Sequence, residues 1–353
     1  MFDRNPLYWR HAEGLPRLAH LVLEVLPDQT SESLRLETGG IDVTQSEIRA
    51  ADVPALKRAV EAGRLTLADS GVGLDGDLFW INLRPERARD RRSSWLQRAD
   101  FRRAIAATVD RRAFADVVYF GAAVPSDGII SPGNQDWHVT AAPPSHDLEQ
   151  ARAMLAGLGL ADRDRDGMLE DHNGQVVRFT LLTQSGNTSL ERGASVIKQD
   201  LGRIGITVDI VALERAAMID YVTRGEYDAA YFRLLTTDVD PALNLDFWMS
   251  SGGAHVWNPE QRSPATVWER DIDSLMKSVS TEPSPAKRRA LFADVQRIMA
   301  RELPVICFAF PRLSIAISTR VVDATPAPFR PPVLWNPAVI DVRGASQQQR
   351  LLY

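Results

Sequence analysis

A strand–helix–strand pattern in the middle of the chain constrains the fold more than any other feature of the sequence. Apolar and β-branched residues dominate Val176–Thr183 and Ile206–Val211, and both runs have the length of a strand. Between them, Ser189–Ile204 carries apolar residues at helical spacing, and Gly205 stands where a glycine commonly ends a helix. Such units normally place two parallel strands side by side with the helix as the crossover. The sequence therefore predicts an α/β domain here.

Other segments extend this prediction in both directions along the chain. Ser284-Pro285 has the residue types of a helix start, and the apolar run Val305–Phe310 behind that helix predicts a buried strand. Strands are also predicted at Ala19–Leu26 and Asp77–Leu83, and helical spacing of apolar residues covers Asp100–Tyr119. Strands and helices thus alternate over most of the chain.

The length of 353 residues allows two or three domain-sized units. The stretch RPERARDRR at residues 84–92 mixes both signs of charge, which is typical of a solvated loop, and we place the first domain boundary there. A proline-rich stretch, TPAPFRPPVLWNP, follows residue 311 and indicates a second boundary. The predicted segments are therefore residues 1–84, 85–311 and 312–353.

Composition excludes several classes of protein. With 44% hydrophobic and 25% charged residues the chain has the make-up of a globular protein. A formal net charge of -5 offers no general attraction for nucleic acid, so we expect no nucleic-acid partner. Cys307 is the one cysteine, which rules out an internal disulfide and suits a buried strand. The first ten residues, MFDRNPLYWR, lack the features of a signal peptide.

Motifs of common enzyme classes are absent from the sequence. HExxH, GxSxG and the phosphate-binding GxxxxGK[ST] do not occur, and no two of the six histidines have helical ligand spacing. The string GVGLDG at residues 71–76 satisfies GxGxxG, but it precedes a strand, whereas a dinucleotide site requires a preceding strand and a following helix. The sequence therefore does not support catalysis by a familiar local motif, and we expect no cofactor.

One acidic loop has the spacing of a cation site. Asp162, Asp164 and Asp166 precede Gly167 in the pattern DxDxDG, which opens a calcium loop of the helix–loop–helix type. Asn173 occupies the twelfth position, where a bidentate Glu closes that kind of site, while Glu170 at the ninth position can supply a fourth carboxylate. The four acidic residues form a weak calcium candidate, and an Asp-Gly turn between a helix and a strand is the alternative.

Several stretches, taken in order, resemble family 5 of the bacterial extracellular solute-binding proteins, which serve ABC importers of peptides, nickel and related solutes. The resemblance covers nearly the whole chain and rests on NPLYWR (5–10), LVLEVLPDQT (21–30), GGIDVT (39–44), DFRRAIAATVDRRAFADVVYFGAAVPSDGIISP (100–132), DRDRDGMLED (162–171), DLGRIGITVDI (200–210), GEYDAAYFRLLTTDVDP (225–241) and RRALFADVQRIMARELPVI (288–306). Each fragment alone is unspecific, whereas their order is specific.

The resemblance implies an α/β, bilobed periplasmic-binding-protein-like fold of type II, cluster C. Residues 1–84 would be a mixed-sheet segment of lobe I, 85–311 an inserted α/β domain (lobe II or domain III), and 312–353 a return segment to lobe I. Family members carry further sequence before the NPLYWR-like stretch. We therefore expect this chain to lack the amino-terminal part of lobe I and the second domain.

The same resemblance implies a function. We expect the substrate-binding component of an ABC importer, a periplasmic or extracytoplasmic monomer that takes a peptide or other small solute by hinge closure and works with the membrane permease subunits. Two alternatives stay open: a solute-sensing domain of a regulator with the same fold, and a truncated fragment that binds nothing. A DNA-binding head before residue 1 would favour the first alternative.

Ligand-contacting residues are carried over from the TTDVDP segment. Peptide binders of the family place an Asp near here that can pair with the ligand's α-ammonium, and Asp238 matches it best, with Asp240 as the rival. A turn that starts at Asp240-Pro241 is the alternative reading. The family's aromatic residue is replaced around Phe232-Arg233, so Arg233 can instead face a ligand carboxylate. The remaining candidates are Phe232, Trp248 and Asn82.

Overall fold

The structure is a computed structural model that describes residues 1–26, 28–46, 48–49, 52–86, 90, 92–141, 143–234, 239–343 and 351–352. Its strands are β1 (Phe2–Asp3), β2 (His20–Leu21), β3 (Leu65–Val72), β4 (Asp77–Ile81), β5 (Ala123–Pro125), β6 (Arg178–Gln184), β7 (Thr207–Leu213), β8 (Ala229–Arg233), β9 (Val305–Cys307), β10 (Ala309–Ser318), β11 (Val321–Val322), β12 (Asp341–Val342) and β13 (Leu351–Leu352). Its α-helices are α1 (Gln29–Glu37), α2 (Val53–Glu61), α3 (Ser93–Leu96), α4 (Ala99–Thr108), α5 (Arg111–Tyr119), α6 (Leu148–Gly157), α7 (Thr188–Gly202), α8 (Arg215–Arg224), α9 (Leu245–Trp248), α10 (Val267–Thr281) and α11 (Pro285–Glu302). Short 3-10 turns lie at His11–Glu13 and Pro241–Leu243.

The chain forms two compact units. The first unit contains Met1–Gly73 and Arg312–Tyr353, and the second contains Leu74–Pro311. The division therefore lies at residues 73 and 74, before the arginine-rich loop at which we expected a boundary after residue 84.

The reason for this difference is strand β4. The second unit is built on a five-stranded sheet in the order β7-β6-β8-β4-β9, so β4 is hydrogen-bonded on both sides. All five of its residues are buried, as in a strand covered on both faces. The sequence expectation attached this strand to the first domain because a change in composition follows it. Pairing with β8 and β9 decides its domain instead.

The predicted strand–helix–strand unit is confirmed. Strands β6 and β7 pair in parallel from Arg178 opposite Thr207 to Gln184 opposite Leu213, with α7 between them. Asn187 caps the helix by accepting a hydrogen bond from the Leu190 amide at 3.1 Å. After the helix, Gly205 has φ +82°, and a Cβ there would lie 2.9 Å from Leu169 Cγ. Glycine is therefore required for both backbone conformation and space.

Two further helix predictions can be compared with the structure. Asp100–Tyr119 forms two helices, because Asp110 caps α5 through the amides of Arg112 and Ala113. Helix α10 was not anticipated, although Thr266 and Glu269 form a complete capping box at its start. The predicted start at Ser284-Pro285 is confirmed, with Pro in the first turn of α11.

The first unit has smaller sheets. Strand β2 pairs with β1 and β13, so of the strand expected at Ala19–Leu26 only His20–Leu21 forms. Residues of β3 pair antiparallel with the Arg312–Ser318 part of β10. Two buried clusters stabilise this unit, one around Ile315 and Ile340 and the other around Leu36 and Leu56. Among the described residues of both units, no helix is long and apolar enough to cross a membrane.

Candidate functional site

The candidate site lies at one edge of the sheet in the second unit. Strands β6, β7 and β8 are parallel, so their carboxyl ends meet at this edge. Strand β4 runs antiparallel to β8 and begins at the same edge, which places Asp77 directly opposite Arg233. Ligands of α/β sheets commonly bind at the carboxyl ends of the strands. The edge therefore combines a favourable position in the fold with charged side chains.

Asp77 is the centre of a buried polar cluster. Its side chain is 1% exposed, and its Oδ1 accepts a 2.6 Å hydrogen bond from Nε of Arg233. Its Oδ2 accepts from the hydroxyl of Tyr119 and, at 3.5 Å, from that of Tyr231. Burial, together with the Asp77 charge, raises the pKa of both phenols well above their usual range. Both tyrosines are therefore neutral donors at physiological pH and balance the aspartate together with the guanidinium.

A pocket of 140 Å³ lies at the same end of the sheet, and its lining includes none of the residues of this cluster. Its wall comes from the start of β4, the loop after β5, the end of β8, and α9 with its flanking residues. The lining residues are Leu74, Asp75, Gly76, Leu78, Ile129, Ile130, Leu234, Asn244, Phe247, Trp248 and Ala254. Gly76 is sterically required, because a Cβ there would lie 2.5 Å from Sγ of Cys307. Burial raises the pKa of the Cys307 thiol to about 12, so this sulfur acts as a neutral packing group.

Trp248, which the sequence analysis named as a candidate ligand contact, lines this pocket. The residue is 4% exposed and makes edge-to-face contacts with Phe247 at 4.8 Å and Phe292 at 5.1 Å between ring centroids. Its Nε1 is buried and has no hydrogen-bond partner among the described residues. A buried donor without a partner is uncommon in folded proteins.

The side chains of Phe232 and Asn82 contact other parts of the protein. Phe232 is 6% exposed, and the guanidinium of Arg215 lies 5.2 Å from its ring centroid. Asn82 follows the far end of β4 from Asp77, where its Nδ2 donates to the carbonyls of Gly225 at 2.9 Å and Tyr227 at 3.1 Å. The structure therefore brings Arg233 and Trp248 to the same region but places Asn82 at the opposite end of the strand.

The TTDVDP segment contains the two aspartates proposed as ligand contacts, and the structure describes one of them, Asp240. Asp238 lies outside the described residues. Asp240 caps the turn Pro241–Leu243 by accepting from the Ala242 amide at 2.9 Å. Both its carboxylate oxygens also pair with Arg288, at 2.8 Å each. Asp240 thus fits the alternative role of a turn-initiating residue.

The acidic loop brings together the four residues singled out from its spacing. One ligand oxygen from each of Asp162, Asp164, Asp166 and Glu170 lies within 4.8 Å of the others. Some of these oxygens already accept backbone hydrogen bonds, for example Asp162 Oδ1 from the Arg165 amide at 2.7 Å. The arrangement has the oxygen donors that calcium prefers, and calcium binding stays a prediction.

Comparison with known proteins identifies the family. The model described as bacterial extracellular solute-binding proteins, family 5 Middle, matches residues 1–255. The chain belongs to this family. Family 5 proteins are binding components of transport systems rather than enzymes, in agreement with the absence of catalytic motifs from the sequence.

Individual relatives of this family 5 chain are distant. Di/tripeptide-binding protein 2 of Pseudomonas aeruginosa is 26% identical over 311 residues, which cover 88% of this chain and 53% of the relative. A probable ABC transporter-binding protein of Deinococcus radiodurans is 22% identical over 343 residues, covering 91% of this chain and 57% of the relative. The chain thus spans about half the length of the curated relatives it matches.

Solved structures support the same fold. The oligopeptide-binding protein AppA from Bacillus subtilis, in complex with a nonapeptide, matches with a TM-score of 0.71 at 22% identity and covers 89% of this chain and 58% of AppA. The periplasmic binding protein MelB from Agrobacterium fabrum C58, in complex with stachyose, has a TM-score of 0.74 at 22% identity, with coverage of 84% and 47%. These neighbours confirm the expected periplasmic-binding-protein-like fold for the family 5 chain.

Sequence reasoning missed the most deeply buried part of the site. Asp77 opens the apolar run DLFWINL, and a charged residue at the edge of such a run is itself a signal, because buried carboxylates need partners. The partners Tyr119 and Tyr231 are remote in sequence and carry no comparable signal. The pocket residues Leu74 and Ile129 were equally unremarkable in the sequence.

Proposed function

We propose that this chain forms the ligand-binding part of an ABC importer's solute-binding subunit, and that its ligand is a peptide or a similar small solute. Family membership supports the general role, and the relatives named for peptides support the ligand class. The observation that carries the proposal is the preformed apolar pocket at the carboxyl end of the strands, the end of the sheet at which the buried Asp77–Arg233 pair also lies.

The pair is a candidate for recognition of a charged group of the ligand at the same end of the sheet as the pocket. Asp77 fixes Nε of Arg233, so the position of the guanidinium is set before a ligand arrives. An arginine held in this way can bind a ligand carboxylate, because a guanidinium presents several donors in a rigid plane. Asp238 is the residue proposed for the ligand's α-ammonium.

Several finer aspects belong to the same proposal. Capture by hinge closure, delivery to membrane permease subunits, a monomeric state and a periplasmic or extracytoplasmic location all follow from the role of a transport receptor. The intact mass and first residue of the protein from its native source test the location, since an exported protein loses a signal peptide.

Calorimetric titration tests the ligand class. Di- and tripeptides, with stachyose as a sugar comparison, should separate a peptide binder from a sugar binder. We expect binding of peptides and none of stachyose. Binding of stachyose alone would reassign the ligand class, and an absence of heat or thermal stabilisation with every solute would contradict the proposal.

Two neighbouring variants locate the ammonium site. Asp238→Asn should weaken peptide binding by roughly 2–5 kcal/mol if a buried ammonium loses its charged partner. Asp240→Asn should have a smaller effect on binding and a larger one on stability, because Asp240 pairs with Arg288. Equal peptide affinities of Asp238→Asn and the unchanged chain would remove Asp238 from the site.

A further inference from the structure

The pocket in the second unit has the size of a single side chain. Its volume of 140 Å³ is well below the roughly 300–1,000 Å³ of sites that enclose a whole drug-sized ligand. It is close to the roughly 150 Å³ of a cavity that accepts one benzene ring. One aliphatic or small aromatic group therefore fills it, with the remainder of the ligand outside.

The lining is apolar, with few exceptions. Eight of the eleven lining residues are apolar, namely Leu74, Leu78, Ile129, Ile130, Leu234, Phe247, Trp248 and Ala254. The exceptions are Asp75, Gly76 and Asn244, and no cationic side chain is among the described lining residues. A ligand anion would be desolvated here next to an aspartate, which disfavours an acidic group. An uncharged apolar group is favoured, because its burial removes apolar surface from water.

The walls of this pocket are held in place without a ligand. Leu78 lies on β4, which is paired on both sides. Phe247 packs edge-to-face against Trp257 at 5.7 Å between ring centroids, and its carbonyl lies 3.0 Å from Nδ1 of the buried His255. The Trp248 ring is thereby fixed on a rigid support, and binding requires little ordering of the pocket.

Trp248 differs from three other tryptophans in its hydrogen bonding. The indole nitrogens of Trp80, Trp257 and Trp335 donate to Tyr227, Glu269 and the carbonyl of Thr325, respectively. Nε1 of Trp248 and Nε1 of Trp95 have no such partner among the described residues, and of these two rings the one that lines this pocket is Trp248. Leaving a buried donor unpaired costs about 1–3 kcal/mol, so an acceptor supplied by a ligand would recover that free energy.

We propose that this pocket is the specificity site for one apolar side chain of the ligand, and that Trp248 Nε1 donates to a carbonyl oxygen of the same ligand. The inference rests on the proposed function and adds the class of ligand: peptides or similar solutes that carry an uncharged, branched aliphatic or small aromatic group. Acidic groups and groups larger than one side chain are rejected.

A fragment of the ligand tests the pocket independently of peptide capture. N-acetyl-leucine amide carries the apolar group and carbonyl acceptors without charge, and N-acetyl-glycine amide is the matched control without a side chain. We expect the leucine derivative to shift the Trp248 indole N–H resonance of ¹⁵N-labelled protein and the δ1-methyl resonance of Ile130, and the glycine derivative to shift neither.

Two variants separate the hydrogen bond from the volume. Trp248→Phe keeps an aromatic ring but removes the donor, and should weaken binding roughly three- to tenfold as followed at the Ile130 methyl. Ala254→Leu keeps the donor but fills the pocket, and should abolish the shifts. No shift with the leucine derivative, equal shifts with both derivatives, or unchanged affinity in both variants would overturn the inference. If peptides fail to bind while the leucine derivative shifts Trp248, the proposed function fails and the pocket assignment stands.

Discussion

Asp77 and Arg233 occupy directly opposite positions of the antiparallel pair β4–β8, and Nε of Arg233 donates to Oδ1 of Asp77 at 2.6 Å. Their side chains are 1% and 17% exposed, so the pair is largely removed from water. Charges in such surroundings are stable only when they are paired and hydrogen-bonded. The register of two strands thus creates a charged cluster at the end of the sheet where the candidate ligand pocket also lies.

Removal of the Asp77 charge should destabilise the second unit. Asp77→Asn keeps the size of the side chain but removes the buried charge that accepts from Arg233, Tyr119 and Tyr231, and we expect a loss of about 3–5 kcal/mol in the free energy of unfolding. Denaturant unfolding measures this loss. Asp209→Asn is the control, because the pair of Asp209 with Arg178 is exposed and should contribute no more than about 1 kcal/mol. Similar small losses in both variants would show that the buried pair does not stabilise the unit.

Two glycines of α7 should respond oppositely to alanine. A Cβ at Gly193 would lie 2.5 Å from Cε1 and 2.6 Å from the hydroxyl oxygen of Tyr231, a fully buried ring that cannot move freely. Gly193→Ala should therefore cost roughly 1–3 kcal/mol through overpacking. A Cβ at Gly202 would have no described atom within 4 Å, so Gly202→Ala should be neutral or stabilise by up to about 1 kcal/mol. Thermal unfolding of both variants checks the prediction, and a stable Gly193→Ala variant would contradict the close packing of α7 on β8.

Glu269 should make stability sensitive to acid. Burial alone would raise the pKa of this carboxyl, but hydrogen bonds from His255, Gln261 and Thr266 lower it overall. Because the folded pKa is depressed, the stabilisation is fully present above the pKa of the unfolded chain and is lost as pH falls through the lower folded pKa. Glu269→Gln should reduce the dependence of the melting temperature on pH between about 5 and 3. The exposed Glu149→Gln on α6 should leave it unchanged, and identical profiles for all three proteins would refute the role of Glu269.

Calcium should affect stability only modestly. The loop gathers Asp162, Asp164, Asp166 and Glu170, yet the twelfth position holds Asn173 instead of a bidentate Glu. Thermal melts with excess calcium and with a chelator should differ by little, and Asp162→Asn should remove any difference. A large rise of the midpoint with calcium would show tight binding to the folded state and would overturn this expectation.

Hydrogen exchange should distinguish the strands that sequence reasoning assigned to one domain. The amides of β4 lie in a central strand of the five-stranded sheet, so we expect protection comparable to that of β6 and β7. Residues 22–26 form no strand, and Leu23 and Val25 are 53% and 96% exposed, so their amides should exchange rapidly. Exchange measured by mass spectrometry on the whole chain resolves both segments. Equal protection of both segments would contradict this assignment.

The sequence by itself determined the local structure of the α/β domain, because the signals involved lie within a few residues of one another. Apolar spacing defined α7, the alternation around Val208 defined β7, and Pro285 marked the start of α11. The acidic loop was also readable, since its four carboxylates are neighbours in sequence and remain neighbours in space.

The tertiary structure alone decided the site. Asp77, Tyr119 and Arg233 are far apart in the sequence; the pairing of β4 with β8 joins Asp77 and Arg233, and the packing of α5 adds Tyr119. The strand order β8-β4-β9 moved β4 into the second unit and placed Asn82 at the end of the strand away from the pocket. The periodicity of apolar residues indicates which face of a helix or strand is buried. Which strands pair depends on packing between segments that are remote in sequence, so no local sequence pattern predicts it.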